Sequence, residues 1–321
     1  MNKTIRSLIA FLCLMTAAVS SADAAWIWTP QTRRWINPKN AAKDTPREQM
    51  EVALNFFEAG DYVKSAKEFV KLVRTYPRSE LAPDAEYLAG VSYERQKDLS
   101  AAFIAYKKVI EIYPFSDRFK DSIEREFAVA EALYAGEKMK ILGPIKVVST
   151  DKAIEVYDHI VQHAPYGEYG DKAQFRLGDC YIRQKQYEEA NRAFQKVIED
   201  YSNSPLLEQA KFKVAFCARQ LSLKASYDQS ATDEAITWYE KFIASHPSSD
   251  LLEHAQESLK QLHTIKAQGL MQVGDFYEMQ KKPLAATVYY KQIIRDYSDT
   301  EVAAQAVSKL NAMEAKAAPK K

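Results

Sequence analysis

Cysteine, glycine and net charge are all scarce in this chain. It has 3 Cys and 9 Gly in 321 residues. Three Cys cannot frame a disulfide scaffold, and so few Gly leave little for the tight turns of a many-stranded β fold. Lys plus Arg total 44 and Asp plus Glu total 43, a net charge of +1. A dedicated nucleic-acid binder would be basic, so that class is set aside. No apolar run reaches the ~20 residues that cross a bilayer; the run near the start, Leu8 to Val19, has 12. There is no phosphate-cradling Gly-rich loop and no G-x-S-x-G elbow, and Ser has no nucleophile context. Acidic residues alternate with Lys on helix surfaces, as in Lys107 and Lys108 before Glu111. The chain is expected to be a non-enzyme, with no catalytic, cofactor-binding or metal residues and no cofactor.

What remains is rich in Ala, with 19 Tyr, 14 Phe and 47% hydrophobic residues. That composition favours stacked helices. The start reads as an address: Lys3 and Arg6, an apolar run from Leu8 to Val19, then the small-x-small pattern Ala22-Asp23-Ala24. This predicts a secretory signal peptide over 1–24 and export to the periplasm or beyond. Cys13 follows Leu12 rather than a small residue, so lipidation is not expected there.

A repeat fills most of the rest. Six segments end at Tyr76-Pro77, Tyr113-Pro114, Ala164-Pro165, Tyr201-Ser202, His246-Pro247 and Tyr297-Ser298, with spacings of 37, 51, 37, 45 and 51. Seven residues before each end lies an aromatic: Phe69, Tyr106, Tyr157, Phe194, Tyr239 and Tyr290. Three before lies a β-branched residue: Val73, Ile110, Val161, Ile198, Ile243 and Ile294. Eleven before lies a small one: Ser65, Ala102, Ala153, Ala190, Ala235 and Ala286. Positions four apart share a helix face, so each segment is the second helix of a hairpin. First helices carry Ala53, Gly90, Gly178, Ala215 and Gly274, with an aromatic three later at Phe56, Tyr93, Tyr181 and Tyr277; Ala218 departs from the rule.

This order of small, small, aromatic and Pro resembles the tetratricopeptide repeat, or TPR. The fold class expected is all-α, a right-handed TPR-type solenoid of about six helical hairpins over residues 47–315. The third unit is interrupted from Leu142 to Ser149 and the fifth from Ser226 to Ser230, while Leu251 to Lys282 reads as one long helix. Such insertions are either binding edges or tolerated loops. Residues 25–46 form an arm with Trp26, Trp28 and Trp35 and no helical period. It is a candidate docking arm, either on its own first hairpin or on a partner or membrane. A disordered Lys/Ala/Pro tail is expected over 316–321.

His159 and His163 have a metal-binding spacing, but no third His or Cys lies nearby in sequence, so a structural or solvated pair is expected. Cys180 and Cys217 occupy equivalent first-helix positions, as buried small apolar side chains or as a disulfide if the geometry allows. In TPR proteins the first helices line a concave surface. The corresponding positions give a candidate protein-binding groove of Tyr87, Glu94, Arg95, Phe175, Asp179, Arg183, Phe212 and Arg219, with Ile182 and Phe216 beside them. Aromatics next to Arg suit a contact hot spot. Packing between hairpins is the other reading for the Phe residues.

The phrase Gly60-Asp61-Tyr62, Phe69, Leu72 and Tyr76-Pro77-Arg78-Ser79 resembles the opening repeat of the BamD family. Gly274-Asp275-Phe276-Tyr277, Ala285-Ala286, Ile294 and Tyr297-Ser298-Asp299-Thr300 is similar to that family's last repeat, which follows a long helix. The resemblance implies a periplasmic TPR scaffold, peripheral at the inner leaflet of the outer membrane. Its expected partners are the β-barrel assembly machinery or client peptides. Two features depart from the family: the lipid-attachment box is missing, and six units stand where five are typical. The alternative is a TPR adaptor for cell-envelope, peptidoglycan or Tol–Pal-linked maintenance. A carbohydrate-processing enzyme on a helical solenoid would need a catalytic domain, for which no room remains.

Overall fold

The computed structural model describes residues 27–29, 34–36, 41–137, 139–142, 145–147, 150–224 and 229–317. The expected signal segment, Cys13 and Trp26 lie outside these residues. The chain divides into two compact units at Ala105/Tyr106. The first holds a ribbon of strands β1 (Ile27–Thr29) and β2 (Arg34–Ile36), then helices α1 (Pro46–Glu58), α2 (Tyr62–Thr75) and α3 (Ala82–Arg95), and the start of α4 (Leu99–Ile112). The second continues α4 into α5 (Arg118–Tyr134) and a ribbon of β3 (Met139–Leu142) and β4 (Ile145–Val147). It then runs through α6 (Thr150–His163), α7 (Gly170–Arg183), α8 (Tyr187–Asp200), α9 (Leu207–Lys224) and α10 (Gln229–Ser245). It ends with α11 (Leu252–Met279), α12 (Pro283–Asp296) and α13 (Glu301–Ala317).

The fold is all-α of TPR type, with two short antiparallel ribbons as additions. Neither ribbon is foreseen by the repeat pattern. The described part of the interruption in the third unit belongs to the β3–β4 ribbon, and part of the arm is the β1–β2 ribbon. The long helix is present as the 28 residues of α11. Helix α13 runs to Ala317, two residues into the stretch expected to be disordered.

Local chemistry explains the boundaries. Pro46 opens α1 and Thr45 caps it, its Oγ1 accepting from the Glu48 N–H at 3.2 Å. Five first helices end in one closing pattern. After α3, Asp98 N–H donates to Tyr93 O at 2.9 Å and Lys97 N–H to Glu94 O at 2.8 Å. The same pair of bonds closes α1 at Gly60, α5 at Gly136, α7 at Lys185 and α11 at Lys281. This is the Schellman arrangement, and it demands a left-handed residue. Gly60 and Gly136 take that conformation freely at φ 76° and 97°, whereas Lys97, Lys185 and Lys281 take it at 55°, 61° and 56°. The reversal between hairpins also repeats, with Ser79, Ser116, Gly167, Ser204, Ser249 and Thr300 N–H each donating three residues back.

Packing follows the small–aromatic rule. The second-helix small residues and all six aromatics are fully buried. At Gly178 an added Cβ would lie 2.5 Å from the Phe194 ring, and at Gly274 it would lie 2.5 Å from Tyr290. Only hydrogen at these positions lets each aromatic of the second helix rest on the first. Ala53 with Phe69, and Ala215 with Tyr239, meet in the equivalent clusters. The β-branched expectation needs refinement. Val73, Val161, Ile198, Ile243 and Ile294 are only half-buried. The fully buried position is one residue earlier: Leu72, Val109, Ile160, Val197, Phe242 and Ile293. Steps of four then three average close to the helical period, so these residues continue the core stripe, and of the later ones only Ile110 is fully buried as well.

Candidate protein-binding surface

The proposed groove residues differ in burial. In the first unit Arg95 is exposed at the end of α3, and Tyr87 and Glu94 are half-buried. In the second unit Phe175 is 5% exposed and packs edge-on to Phe194 at 5.1 Å. Phe212 meets Tyr239 and Phe242 at 6.1 and 5.6 Å. Phe175 is therefore a core side chain between hairpins, and Phe212 is half-buried against the core cluster that holds Tyr239 and Phe242. Ile182 and Phe216 border the same cluster. Arg183 is exposed, lies 3.8 Å over the Tyr134 ring and donates to the Tyr134 carbonyl. Arg219 donates to Gln261 of α11.

Asp179 also departs from the expectation. It is 8% exposed and joins two cations, Lys213 at 2.9 Å and Arg176 at 3.3 Å. Arg176 in turn grips Glu131 of α5 through two bonds of 2.8 and 3.1 Å. The Tyr157 hydroxyl donates to the same Glu131 carboxylate. Burial, reinforced by that bond, pushes the Tyr157 phenol far above its ordinary range. This network ties α5, α6, α7 and α9 together with charge-assisted bonds. Arg176 carried no local signal in the sequence, since its partner lies 45 residues earlier.

Cys180 and Cys217 are free and buried, and no disulfide joins them. Burial pushes both thiols up to about 12, which makes them poor nucleophiles. The histidine pair is structured. His159 is buried with Nδ1 2.8 Å from Glu126 of α5, and His163 Nδ1 lies 2.9 Å from the His159 carbonyl. Burial pushes the Glu126 carboxyl up to about 7 against the pull of His159.

Trp28 and Trp35 face each other across the β1–β2 ribbon with ring centroids 5.9 Å apart, and they remain 46% and 62% exposed. The pair steadies the ribbon while leaving aromatic surface in water. The end of the arm is fastened differently: Lys43 N–H donates to Gln49, and the Tyr76 hydroxyl donates to the Lys43 carbonyl.

Two surfaces are absent from the groove expectation. A recess of about 490 Å³ is lined by Ile198, Lys211, Trp238 and Phe242, with Lys241 over the Trp238 ring at 5.4 Å. Around the α11–α12 turn, Phe276, Met279, Leu284 and Val288 are exposed, Leu284 at 85%. Four apolar side chains kept in water on one hairpin suit a protein contact. Their sequence signal was the apolar content of a turn that the core stripe does not use.

Comparison with known proteins gives the lineage. A family model described as YfiO, outer membrane lipoprotein, matches residues 143–320, more than half of the chain. A tetratricopeptide-repeat model matches residues 52–117. The outer membrane protein assembly factor BamD of Caulobacter vibrioides is 21% identical over 160 residues, which is 50% of this chain and 52% of that protein. The chain thus spans about half the length of this curated relative. Among solved structures, a tetratricopeptide repeat protein from Parabacteroides merdae is similar at 17% identity and a TM-score of 0.33, over 82% of this chain and 97% of that one. Pseudomonas aeruginosa pilF is similar at 14% identity and a TM-score of 0.30, over 82% and 97% of the two chains. The stacked hairpins, the long α11 and the family match over 143–320 converge, and the chain belongs to the YfiO, or BamD, family of outer membrane lipoproteins with tetratricopeptide repeats.

Proposed function

We propose that this chain is a non-catalytic scaffold at the periplasmic face of the outer membrane, acting through protein contacts in β-barrel protein assembly. The observation that carries the reading is the family match over residues 143–320. The relative's designation as an assembly factor supports it. So does the character of the accessible surface: Arg95, Arg183 and the apolar side chains at the α11–α12 turn are contact groups rather than chemistry. Tyr87, Glu94, Arg219 and the Trp28–Trp35 ribbon complete the proposed contact set.

Family membership also bears on attachment. The family is one of lipoproteins, which runs against the expectation drawn from Leu12 before Cys13. The intact mass of the mature chain separates acylation at Cys13 from cleavage after Ala24. Deleting residues 25–46 tests the arm as a membrane contact; unchanged membrane association would remove it from that role.

The deciding experiment is capture of the tagged mature protein from its own envelope in mild detergent, with mass spectrometry of its companions. Recovery of the assembly β-barrel and its lipoproteins is the expected result. Recovery of Tol–Pal proteins or peptidoglycan enzymes instead would transfer the fold to envelope maintenance and end the assembly reading.

A further inference from the structure

We propose that Glu111, His159 and His163 form a binding site for a divalent transition metal, of which zinc fits the donor set best. The sequence alone argued against a metal, because no third ligand lies near the two histidines. The fold supplies it from α4. One donor atom from each of the three residues lies within 4.8 Å of the others. His159 Nε2 faces Glu111 Oε1 at 3.7 Å.

The hydrogen bonds around the histidines accommodate the metal-binding tautomer. His159 Nδ1 lies 2.8 Å from Glu126 Oε2, and Glu126 is fully buried. With the proton on Nδ1, His159 donates to that carboxylate and Nε2 offers its lone pair toward Glu111. His163 Nδ1 lies 2.9 Å from the backbone carbonyl of His159, an acceptor only. That bond places a proton on Nδ1 of His163, and Nε2 is the ligand atom there. A carboxylate and a carbonyl behind two imidazoles are the supports that metal-binding histidines use. The two rings lie 4.1 Å apart at 31°, one helical turn from each other on α6.

The donor set is two imidazole nitrogens and one carboxylate oxygen, with a fourth position open to water. That composition suits zinc. Tetrahedral zinc places its ligand atoms about 3.4 Å apart, so the group must contract by roughly an ångström. Glu111 and His163 are exposed, and rotation of their side chains can supply that movement. Glu111 would relax its loose 3.7 Å approach to Lys107. His159 would stay where Glu126 holds it, which makes Glu126 a positioning residue rather than a ligand.

The test uses the tag-free mature protein, stripped with chelator and titrated with zinc by calorimetry and with cobalt(II) by visible absorption. One ion per chain and the bands of four-coordinate cobalt are expected. Glu111→Gln and His163→Ala, both at exposed positions, should abolish stoichiometric binding while leaving helix content and the melting temperature of the metal-free protein unchanged. Glu126→Gln should weaken binding by about 10–100-fold. His254→Ala, at an exposed histidine elsewhere, should bind as the parent does. Absence of a stoichiometric site, or undiminished binding by Glu111→Gln and His163→Ala, would overturn the proposal.

Discussion

The Gly178 Cα and the Phe194 ring are in contact, so closely that a methyl group on Gly178 would overlap three ring carbons. The same relation joins Gly274 to Tyr290. Ala in place of a helical Gly would by itself stabilise by about 1 kcal/mol. Here overpacking opposes it at about 1–3 kcal/mol. Gly178→Ala and Gly274→Ala are expected to lower stability in urea unfolding, and Phe194→Leu combined with Gly178→Ala should recover part of the loss. A stabilised Gly178→Ala variant would contradict the close approach.

The left-handed lysines are a correctable cost. Lys97 and Lys281 hold φ 55° and 56° where Gly60 performs the same closure without a Cβ. A non-Gly residue in this conformation costs roughly 1–2 kcal/mol, partly offset by the greater unfolded-state freedom of Gly. Lys97→Gly and Lys281→Gly should each raise the midpoint of thermal unfolding, whereas Lys64→Gly, inside α2, should lower it.

Arg176 and Glu131 form a two-bond pair across the second unit. Both side chains are about one-third exposed, so solvent screens the interaction. A double-mutant cycle with Arg176→Met and Glu131→Gln should return a coupling of about 1 kcal/mol. Asp179→Asn should also destabilise, because Lys213 and Arg176 both rely on that carboxylate.

The thiols give a pH signature. Cys180 and Cys217 are raised from 9.0 to about 12 by burial. Below the unfolded value both states are protonated and the thiols do not affect stability. As pH rises above about 9 the unfolded chain ionises first, so stability falls up to about 12. At pH 8 both thiols should resist a thiol reagent in the native protein and react in denaturant. Fast labelling of the native protein would contradict their burial.

The apolar side chains at the α11–α12 turn connect structure to partner binding. Met279→Ser with Leu284→Ser removes exposed apolar surface and should change stability by no more than about 0.5 kcal/mol. The expected effect is reduced recovery of assembly partners in the capture experiment. Unchanged recovery would exclude this turn from the contact set.

The helical hairpins were legible because their rule is local. A small residue, an aromatic four later and a stop after seven more lie on one helix face whatever surrounds them, and α2, α8 and α12 follow that geometry. The ribbons were less legible because pairing of Trp28 with Trp35 depends on a partner strand rather than on a period within one segment. The candidate groove was legible only as a set of positions on first helices. Position on a first helix places Phe175 and Asp179 near the surface, but only the neighbouring helices determine whether that surface stays open.

Sequence by itself determined the repeat, its aromatic core, the long α11 and the family resemblance, since each is written in spacings of a few residues. Tertiary structure decided the rest. It buried Phe175 against Phe194, paired Arg176 with a carboxylate 45 residues away, left Cys180 and Cys217 as separate thiols and carried Glu111 to His159 and His163. These are encounters between side chains on different helices, and their distances are set by how helices pack rather than by how one helix turns.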